Sequence, residues 1–196
     1  MMVTWTRPAH HRDDFCRETM MQVRIATETD RDDVRSVHLS AFPNGEREIV
    51  SNLAVALLPE DAEPKTIALV AEVEGVVVGH IAFSPVTLER SNNFLGYILA
   101  PLAVRPEIQK QGIGSQLVDD GTRRLSGMSA QVVFVYGDPR YYGRFGFTVD
   151  AAEPYDPPYK LQYPFGWQAI ALDRDMTEGT SGKIACVAAL SDPALW

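Results

Sequence analysis

The chain has 196 residues, of which 45% are hydrophobic and 22% are charged, a composition typical of one globular domain. Its formal net charge of −8 argues against nucleic acid as a general partner, because an acidic surface repels phosphate backbones. No apolar run reaches the roughly 20 residues that span a bilayer, and Cys16 and Cys186 match neither a disulfide framework nor a zinc motif. We therefore expect a cytoplasmic protein with no nucleic-acid or membrane partner and no bound metal.

Residues 1–21 are expected to form an N-terminal tail, since they lack the apolar block of a signal peptide. The pair Met20-Met21 directly precedes the first strand-like segment. The tail is therefore either a disordered extension or an artefact of the start site, with translation beginning at one of these methionines. Residues 22–196 are expected to form a single domain.

The first segments of this domain predict one strand followed by two helices. Val23-Arg24-Ile25 alternates apolar and polar residues, as a half-buried strand does. Thr29 or Asp30 is placed to cap the first helix. The second helix is expected to begin near Glu46 and to end at Pro59. Each helix presents an apolar face at helical spacing, formed by Val34, Val37, His38 and Ala41 in the first and by Ile49, Leu53, Ala56 and Leu57 in the second.

Three strands are predicted next. Two segments rich in β-branched residues, Ile67–Val73 and Val76–Phe83, flank a Glu-Gly turn and indicate an antiparallel hairpin. Pro85 is expected to end the second of these strands. The third strand, Phe94–Val104, contains Pro101. Since a central strand tolerates proline badly, we expect a bulge or local break there.

The second half of the chain alternates helices and strands. A helix from about Gln111 to Leu125 precedes a continuous apolar segment, Val132–Tyr136, which is typical of a buried strand. The strand–helix–strand unit from Phe94 to Tyr136 requires a parallel crossover, so the sheet is expected to be mixed. The remaining predicted elements are a short helix over Pro139–Phe145, a strand beginning at Phe147, a surface loop over 153–166, and strands over Trp167–Leu172 and Ile184–Leu190.

The best functional signal is the segment Gln109-Lys110-Gln111-Gly112-Ile113-Gly114-Ser115, where a helix begins after a strand. The first turn of a helix has unpaired N–H groups and a positive dipole end, which together bind anions. Gly112 and Gly114 lack Cβ atoms and admit a pyrophosphate close to the backbone. The segment has neither the third glycine of a Rossmann motif nor the Gly-Lys-Ser/Thr of a P-loop. The alternative is a glycine-rich helix start that serves packing alone.

Leu99–Glu107 followed by Gln109-x-x-Gly112-x-Gly114 resembles the GNAT superfamily of acetyl-CoA-dependent N-acetyltransferases, whose pattern is Gln/Arg-x-x-Gly-x-Gly/Ala at a strand-to-helix turn. The resemblance continues in Val78–Ile81 and in Tyr141–Phe147, which looks like the family's Tyr-x-x-x-Gly-Phe segment. It covers roughly residues 22–190 and is most similar to the bacterial YhbS-like branch. It implies one α/β domain with a mixed, mostly antiparallel sheet of six to seven strands flanked by helices, in which a splayed parallel strand pair forms the acetyl-CoA cleft.

The resemblance also implies roles for particular residues. Tyr142 falls where the family places the general acid that protonates the departing CoA thiolate, and a phenol of pKa near ~10 suits this role. Tyr141 is the alternative acid, and a purely structural role is the alternative for Tyr142. The strand should offer backbone groups to the pantetheine arm, and the turn should hold the pyrophosphate. The implied cofactor-binding residues are Leu102, Ala103 and Val104 on the strand, and Gln109, Lys110, Gln111, Gly112, Ile113, Gly114 and Ser115 in the turn.

The general base stays open among several groups. A substrate ammonium must lose a proton before it attacks, because its pKa is near ~10. His80 has a suitable intrinsic pKa, but its apolar strand favours a structural histidine at least as well. The other candidates are Glu46, Glu48, Glu72, Asp138 and a chain of water molecules.

The predicted function is the direct transfer of an acetyl group from acetyl-CoA to a primary amine of a small molecule or a protein. The alternative is a non-catalytic CoA-binding sensor or interaction module with the same fold, which has no need of an acid at Tyr142. A third interpretation, a phosphate-binding domain unrelated to CoA, would require both motifs to occur by chance. The family often forms homodimers, although no segment here identifies an interface. The loop from Tyr155 to Trp167 either walls the acceptor pocket or covers the sheet.

Overall fold

A computed structural model of the chain describes residues 21–58, 64–91, 93–173 and 179–196. The predicted tail lies outside the described residues except for Met21, which is the first residue of a strand. Pro59, which was expected to end the second helix, also lies outside them. Within the described ranges, no helix is long and apolar enough to cross a membrane, and no cluster of three or more His, Cys, Asp or Glu side chains is arranged to hold a metal ion.

Within the part of the chain that the structure describes, eight strands form one mixed sheet. In chain order they are β1 (Met21–Ile25), β2 (Ile67–Val73), β3 (Val76–Leu88), β4 (Phe94–Val104), β5 (Val132–Tyr136), β6 (Tyr155–Asp156), β7 (Trp167–Ala171) and β8 (Gly182–Cys186).

The strand order confirms the predicted mixed sheet. The main path runs β1-β2-β3-β4-β5-β7, while β8 pairs with the end of β3 and β6 pairs with β8. β4 and β5 are parallel, as the crossover through the intervening helix requires. Most other pairs are antiparallel. The sheet has more strands than expected because the two-residue β6 has no sequence pattern long enough to predict it.

Helices cover both faces of the sheet. They are α1 (Arg31–Ala41), α2 (Arg47–Ala56), α3 (Ile113–Ser126) and two one-turn helices, α4 (Pro139–Tyr142) and α5 (Val149–Ala152). Alternate residues of β2 face opposite sides: Ala68 and Val70 pack in the core with α1 and α2, whereas Leu69 and Ala71 pack in the core with α3. The predicted core face of α3 is confirmed, since Ile113, Leu117, Val118 and Leu125 are all buried.

The predicted apolar faces of α1 and α2 are correct with one exception. Val34, Val37 and His38 are buried in α1. In α2 the exposed Ala56 was assigned wrongly to the core, and Ala54 is buried in its place. The error arose because the helix ends at Ala56, and Leu57 and Leu58 then turn back into the core.

Pro85 does not end β3, contrary to the prediction from the sequence. The strand continues to Leu88. On one edge β3 pairs with β2 as far as Phe83 and with β8 from Val86 onwards. Pro85 lies in the gap between these two partners, where its missing N–H removes no ladder hydrogen bond.

The irregularity expected in β4 is confirmed. Leu102 pairs with Ile81 and Leu99 pairs with Phe83, so this interval contains one more residue in β4 than in β3. The extra residue falls at Ala100-Pro101, whose peptide bond is cis. This β-bulge bends the strand next to its parallel partner.

The segment after Gly146 also differs from the prediction. Phe147 does not begin a strand, because Thr148 caps α5 through its hydroxyl, which accepts from the N–H of Ala151. Thr148 makes only an isolated bridge to Ala169. The loop expected over 153–166 is not wholly at the surface either: Tyr155 is buried, and its carbonyl accepts a hydrogen bond from the indole of Trp167.

Candidate active site

A cleft opens where β4 and β5 separate. Their parallel pairing runs from Gly96 opposite Val132 to Leu99 opposite Val135 and goes no further. β4 nevertheless continues to Val104, held on its other edge by β3. The backbone groups of residues 100–104 on the β5 side therefore lack strand partners, and such groups seek hydrogen bonds from a ligand or from water.

The first cavity lies at the end of β4 and the start of α3, with a volume of about 770 Å³. That size suits a large ligand. Nine of the ten predicted cofactor residues line it, and Gln111 does not. The nine are Leu102, Ala103, Val104, Gln109, Lys110, Gly112, Ile113, Gly114 and Ser115.

The turn before α3 is shaped by backbone geometry and one side chain. Gln109 folds back so that its Nε2 donates to the carbonyl oxygen of Val104 at 2.9 Å. Lys110 and Gly112 both have positive φ, of 64° and 88°. A Cβ at Gly112 would meet no atom within 4 Å. The turn therefore leaves open space in front of the first N–H groups of α3.

The first cavity carries positive charge in a protein that is acidic overall. Lys110, Arg140 and Arg144 line it, against one acidic residue, Asp138. The Asp138 carboxylate caps α4 by accepting from the N–H of Arg140 at 2.9 Å. The cavity is thus suited to phosphate groups.

Arg144 was missed in the sequence. Its guanidinium carbon lies 4.6 Å from the ring centroid of Tyr141, and its Nε donates to the Tyr141 carbonyl at 3.1 Å. The i,i+3 spacing of Tyr141 and Arg144 on a helical turn was the available signal.

Tyr141 and Tyr142 point into different cavities. Consecutive residues on a helix are about 100° apart, and α4 separates the two rings accordingly. Tyr141 lines the first cavity, where its hydroxyl approaches the start of α3. A Cβ at Gly114 would lie 2.7 Å from that hydroxyl oxygen. Burial, more than any nearby charge, raises the pKa of Tyr141 above its ordinary value.

Tyr142 lines a second cavity of about 350 Å³. Its ring packs edge-on against Phe147 and against Tyr141, with centroids 5.9 Å and 4.9 Å apart. Among the described residues, the Tyr142 hydroxyl has no hydrogen-bond partner. Burial raises the pKa of this phenol well above its ordinary value, and the neighbouring Tyr141 adds to the effect. The group is therefore protonated throughout the neutral range.

The two cavities meet at the bulged strand. Leu102 of β4 and Phe42, just after α1, line both of them. Two ligands that enter from opposite sides would thus come together beside the bulge and beside Tyr142.

Two acidic candidates for the general base are engaged elsewhere. Glu48 pairs with Arg35 at 3.0 Å, and Glu72 pairs with Arg24 at 2.9 Å. Neither lines either of the two cavities. Glu46, by contrast, lines the second cavity.

His80 is buried in the sheet and faces another histidine. Its Nδ1 lies 2.9 Å from Nε2 of His38, and both side chains are fully buried. Burial lowers the pKa of both rings, that of His38 to about 4. His80 lines neither of the two cavities.

The loop from Tyr155 to Trp167 covers the sheet. The rings of Tyr155 and Trp167 both pack on Phe134 of β5, with centroids 5.2 Å and 5.1 Å away. None of residues 155–167 lines the second cavity. Its far wall comes instead from the end of the chain, at Leu190, Leu195 and Trp196. No local pattern in the sequence predicts this contribution.

Comparisons with known proteins agree with this geometry. The model of the acetyltransferase (GNAT) domain family matches residues 64–149. The chain is 37% identical over 167 residues to the uncharacterized N-acetyltransferase YjhQ of Escherichia coli strain K12. The alignment covers 83% of this chain and 90% of YjhQ.

Two solved structures share the fold over nearly their whole length. YhbS, a GNAT family N-acetyltransferase of Escherichia coli solved in complex with CoA, superimposes with a TM-score of 0.75 at 25% identity and covers 96% of this chain and 97% of its own. A GNAT family acetyltransferase of Brucella melitensis, solved in complex with acetyl-CoA, has a TM-score of 0.63 at 32% identity, with 87% and 98% covered. The chain belongs to the GNAT family of acetyltransferases.

Proposed function

We propose that this protein transfers the acetyl group of acetyl-CoA directly to a primary amine while both are bound. The observation that carries the proposal is the meeting of two cavities at the bulge of β4, one with three basic side chains and one lined mostly by apolar and aromatic side chains. The relatives solved with CoA and acetyl-CoA support the choice of cosubstrate. Since acetyl-CoA is a cytoplasmic metabolite, we place the enzyme in the cytoplasm.

Acetyl-CoA would occupy the first cavity and the cleft. The first N–H groups of α3, helped by Lys110, Arg140 and Arg144, would hold its pyrophosphate. The pantetheine arm would then run along β4, where the backbone from Ala100 to Val104 has no strand partner on that side. This path brings the thioester to the junction of the two cavities.

The chemistry at the junction needs few side chains. A neutral amine attacks the thioester carbon, and the tetrahedral intermediate expels the CoA thiolate. Tyr142 would donate its phenolic proton to the sulfur, because it lines the second cavity and has no other partner among the described residues. The nitrogen of the new amide would release its extra proton to water, from which the Tyr142 phenolate is protonated again. Tyr141 is less suitable, since it lines the first cavity, at the proposed phosphate end, and does not line the second.

Acetyl-CoA is expected to raise the melting temperature of the protein, and ATP and NAD are not. A ligand at about 100 times its dissociation constant stabilises a fold by roughly 2.7 kcal/mol, which for a chain of this size corresponds to about 5–10 °C. Differential scanning fluorimetry measures the shift. An absent shift at saturating acetyl-CoA contradicts the proposal, and a shift without amine-dependent CoA release would instead identify a non-catalytic CoA-binding protein.

Replacing Gly112 by Ala is expected to raise the KM for acetyl-CoA about 10-fold, the loss expected when a charge-assisted hydrogen bond is broken. The added methyl group would stand in the open space before α3, where the pyrophosphate is expected. Steady-state kinetics with varied acetyl-CoA measure the effect.

Gly75→Ala is the matched control for this substitution. Gly75 also has positive φ, of 80°, and a Cβ there would also meet nothing within 4 Å. Both variants therefore suffer the same backbone strain of roughly 1–2 kcal/mol, but Gly75 lies in the β2–β3 turn, away from the first cavity. Equal changes in KM for the two variants would show that strain, and not the phosphate site, causes the effect.

A further inference from the structure

We infer that the acceptor is a small primary amine carried on an apolar or aromatic body, and that Glu46 binds its ammonium group at the mouth of the second cavity. The inference rests on the proposed acetyltransferase function and names its substrate class. It comes from the composition of the cavity wall, from the polar groups left unused there, and from the cavity volume.

Most of the side chains that line the second cavity are apolar or aromatic. They include Phe42, Val50 and Leu53 around α2, Ile98 and Leu99 of β4, and Leu195 and Trp196 in the last segment of the chain. A volume of about 350 Å³ is at the small end of ligand pockets. It suits an aryl or branched alkyl group better than an oligosaccharide or a folded protein surface.

Two of the four polar side chains that line this cavity are already hydrogen-bonded. The Tyr136 hydroxyl accepts from the backbone N–H of Tyr163 at 3.0 Å. The Trp196 indole donates to the Leu190 carbonyl at 3.1 Å. The Tyr142 hydroxyl and the Glu46 carboxylate remain without a partner among the described residues. An apolar pocket with a few convergent polar groups is the usual form of a small-molecule site.

Among the residues that the structure describes, Glu46 is the one charged side chain that lines this cavity. It lies at the N-cap position of α2, but its side chain makes no capping hydrogen bond, so the carboxylate is not engaged with the first turn of the helix. The residue is exposed, which places it at the mouth and not in the depth of the cavity. A cationic amine would be recruited there by charge, and it would lose its proton to water before the neutral nitrogen attacks the thioester.

The same wall disfavours amines with charged or strongly polar bodies. A second ammonium group inside the cavity would find no acidic side chain other than Glu46, and an unpaired buried charge costs several kcal/mol. Spermidine and lysine within a peptide are therefore expected to be poor acceptors, although both present a primary amine.

The first test compares acceptors with the wild-type enzyme, using thiol release from acetyl-CoA as the readout. The kcat/KM for 2-phenylethylamine is expected to exceed that for spermidine and for a lysine-containing peptide by about 30-fold or more, from burial of the phenyl group. A preference for spermidine or the peptide overturns the inference while acetyl transfer stands. If no amine releases CoA, the proposed function fails as well.

The second test is Glu46→Gln, with Glu48→Gln as the matched control on the same helix. Glu46→Gln is expected to raise the KM for 2-phenylethylamine about 10-fold, with kcat and the thermal shift by acetyl-CoA little changed. Glu48→Gln should leave both constants unchanged, because its carboxylate pairs with Arg35 outside the cavity. Aniline, which is neutral at pH 7, should not distinguish wild type from Glu46→Gln. Equal losses for both variants, or for both amines, overturn the role of Glu46.

Discussion

Replacing Tyr142 by Phe is expected to lower kcat about 100-fold while the KM for acetyl-CoA stays nearly constant. General acids contribute about 10²- to 10⁴-fold, and a thiolate is a good enough leaving group to put the effect at the lower end. The ring itself is retained, so its packing against Phe147 and Tyr141 persists. Steady-state kinetics with a saturating amine measure the loss, and the melting temperature verifies that the fold is intact.

Tyr141→Phe is the control, because the adjacent tyrosine occupies the other cavity. Its hydroxyl lies beside Gly114 at the start of α3, where the pyrophosphate is proposed to bind. The expected consequence is a change in the KM for acetyl-CoA with little loss of kcat. If Tyr141→Phe lowers kcat more than Tyr142→Phe does, the assignment of the acid must be reversed.

The pH dependence of the reaction offers an independent test of the acid. Burial raises the pKa of Tyr142 well above 10, so the acid stays protonated as the pH rises through the range in which enzymes are assayed. The rate should therefore increase with pH as more acceptor becomes neutral, without a falling basic limb below about pH 10. A basic limb at pH 8–9 that disappears in Tyr142→Phe would contradict the raised pKa.

The first cavity could be predicted because the residues that form most of it are local in the sequence. β4, the turn and α3 are consecutive, and their geometry depends on the bulge at Pro101 and the backbone conformation at Gly112. Proline and glycine have strong backbone preferences that can be recognised from the sequence alone. Gln109 to Ser115 therefore indicated an anion site before any tertiary contact was known.

The second cavity could not be predicted in this way. Its wall combines the region around Phe42 and Glu46 with Leu99 of β4 and with Trp196, and these three parts of the chain are far apart in sequence and come together only through tertiary packing. The sequence left five protein groups open for the base. The structure distinguishes them by contacts alone, such as the ion pairs of Glu48 and Glu72.

The errors in the fold share one physical cause. Pro85 and Phe147 were interpreted from local preference, while their actual positions depend on neighbouring strands and caps. Pro85 is tolerated because β2 ends and β8 begins beside it, and the segment after Phe147 is helical because Thr148 caps it. Tertiary context overrides propensity at such positions.

The stability of the protein is expected to fall by about 3 kcal/mol or more between pH 7 and pH 4, because His38 and His80 are buried as a neutral pair. One ring donates and the other accepts across the 2.9 Å contact. Burial lowers the pKa of His38 to about 4 and that of His80 well below its ordinary value. In the unfolded chain both rings titrate near ~6.5.

The sign of this effect follows from proton binding. Below about pH 6.5 the two histidines bind protons in the unfolded chain but not in the folded protein, so falling pH favours unfolding. The contribution is complete above ~6.5 and is lost as the pH falls from there to about 4, where His38 also protonates in the folded state. Asp30 contributes to the pH dependence of stability only at lower pH, since its hydrogen bonds to Arg24 hold its pKa at about 2. Urea denaturation at a series of pH values separates the two.

Replacing both histidines, as His38→Leu with His80→Leu, is expected to remove the slope between pH 6.5 and pH 4. With both rings replaced, neither histidine is left as an unpaired polar group in the core, so the free energy of unfolding at pH 7 should change little. His80→Leu alone should cost roughly 1–3 kcal/mol at pH 7, because His38 then loses its hydrogen-bond partner inside the core. NMR of the ring protons provides a readout that needs no variant: resonances of His38 that titrate near pH 6.5 in the folded protein would show that the pair is not held neutral.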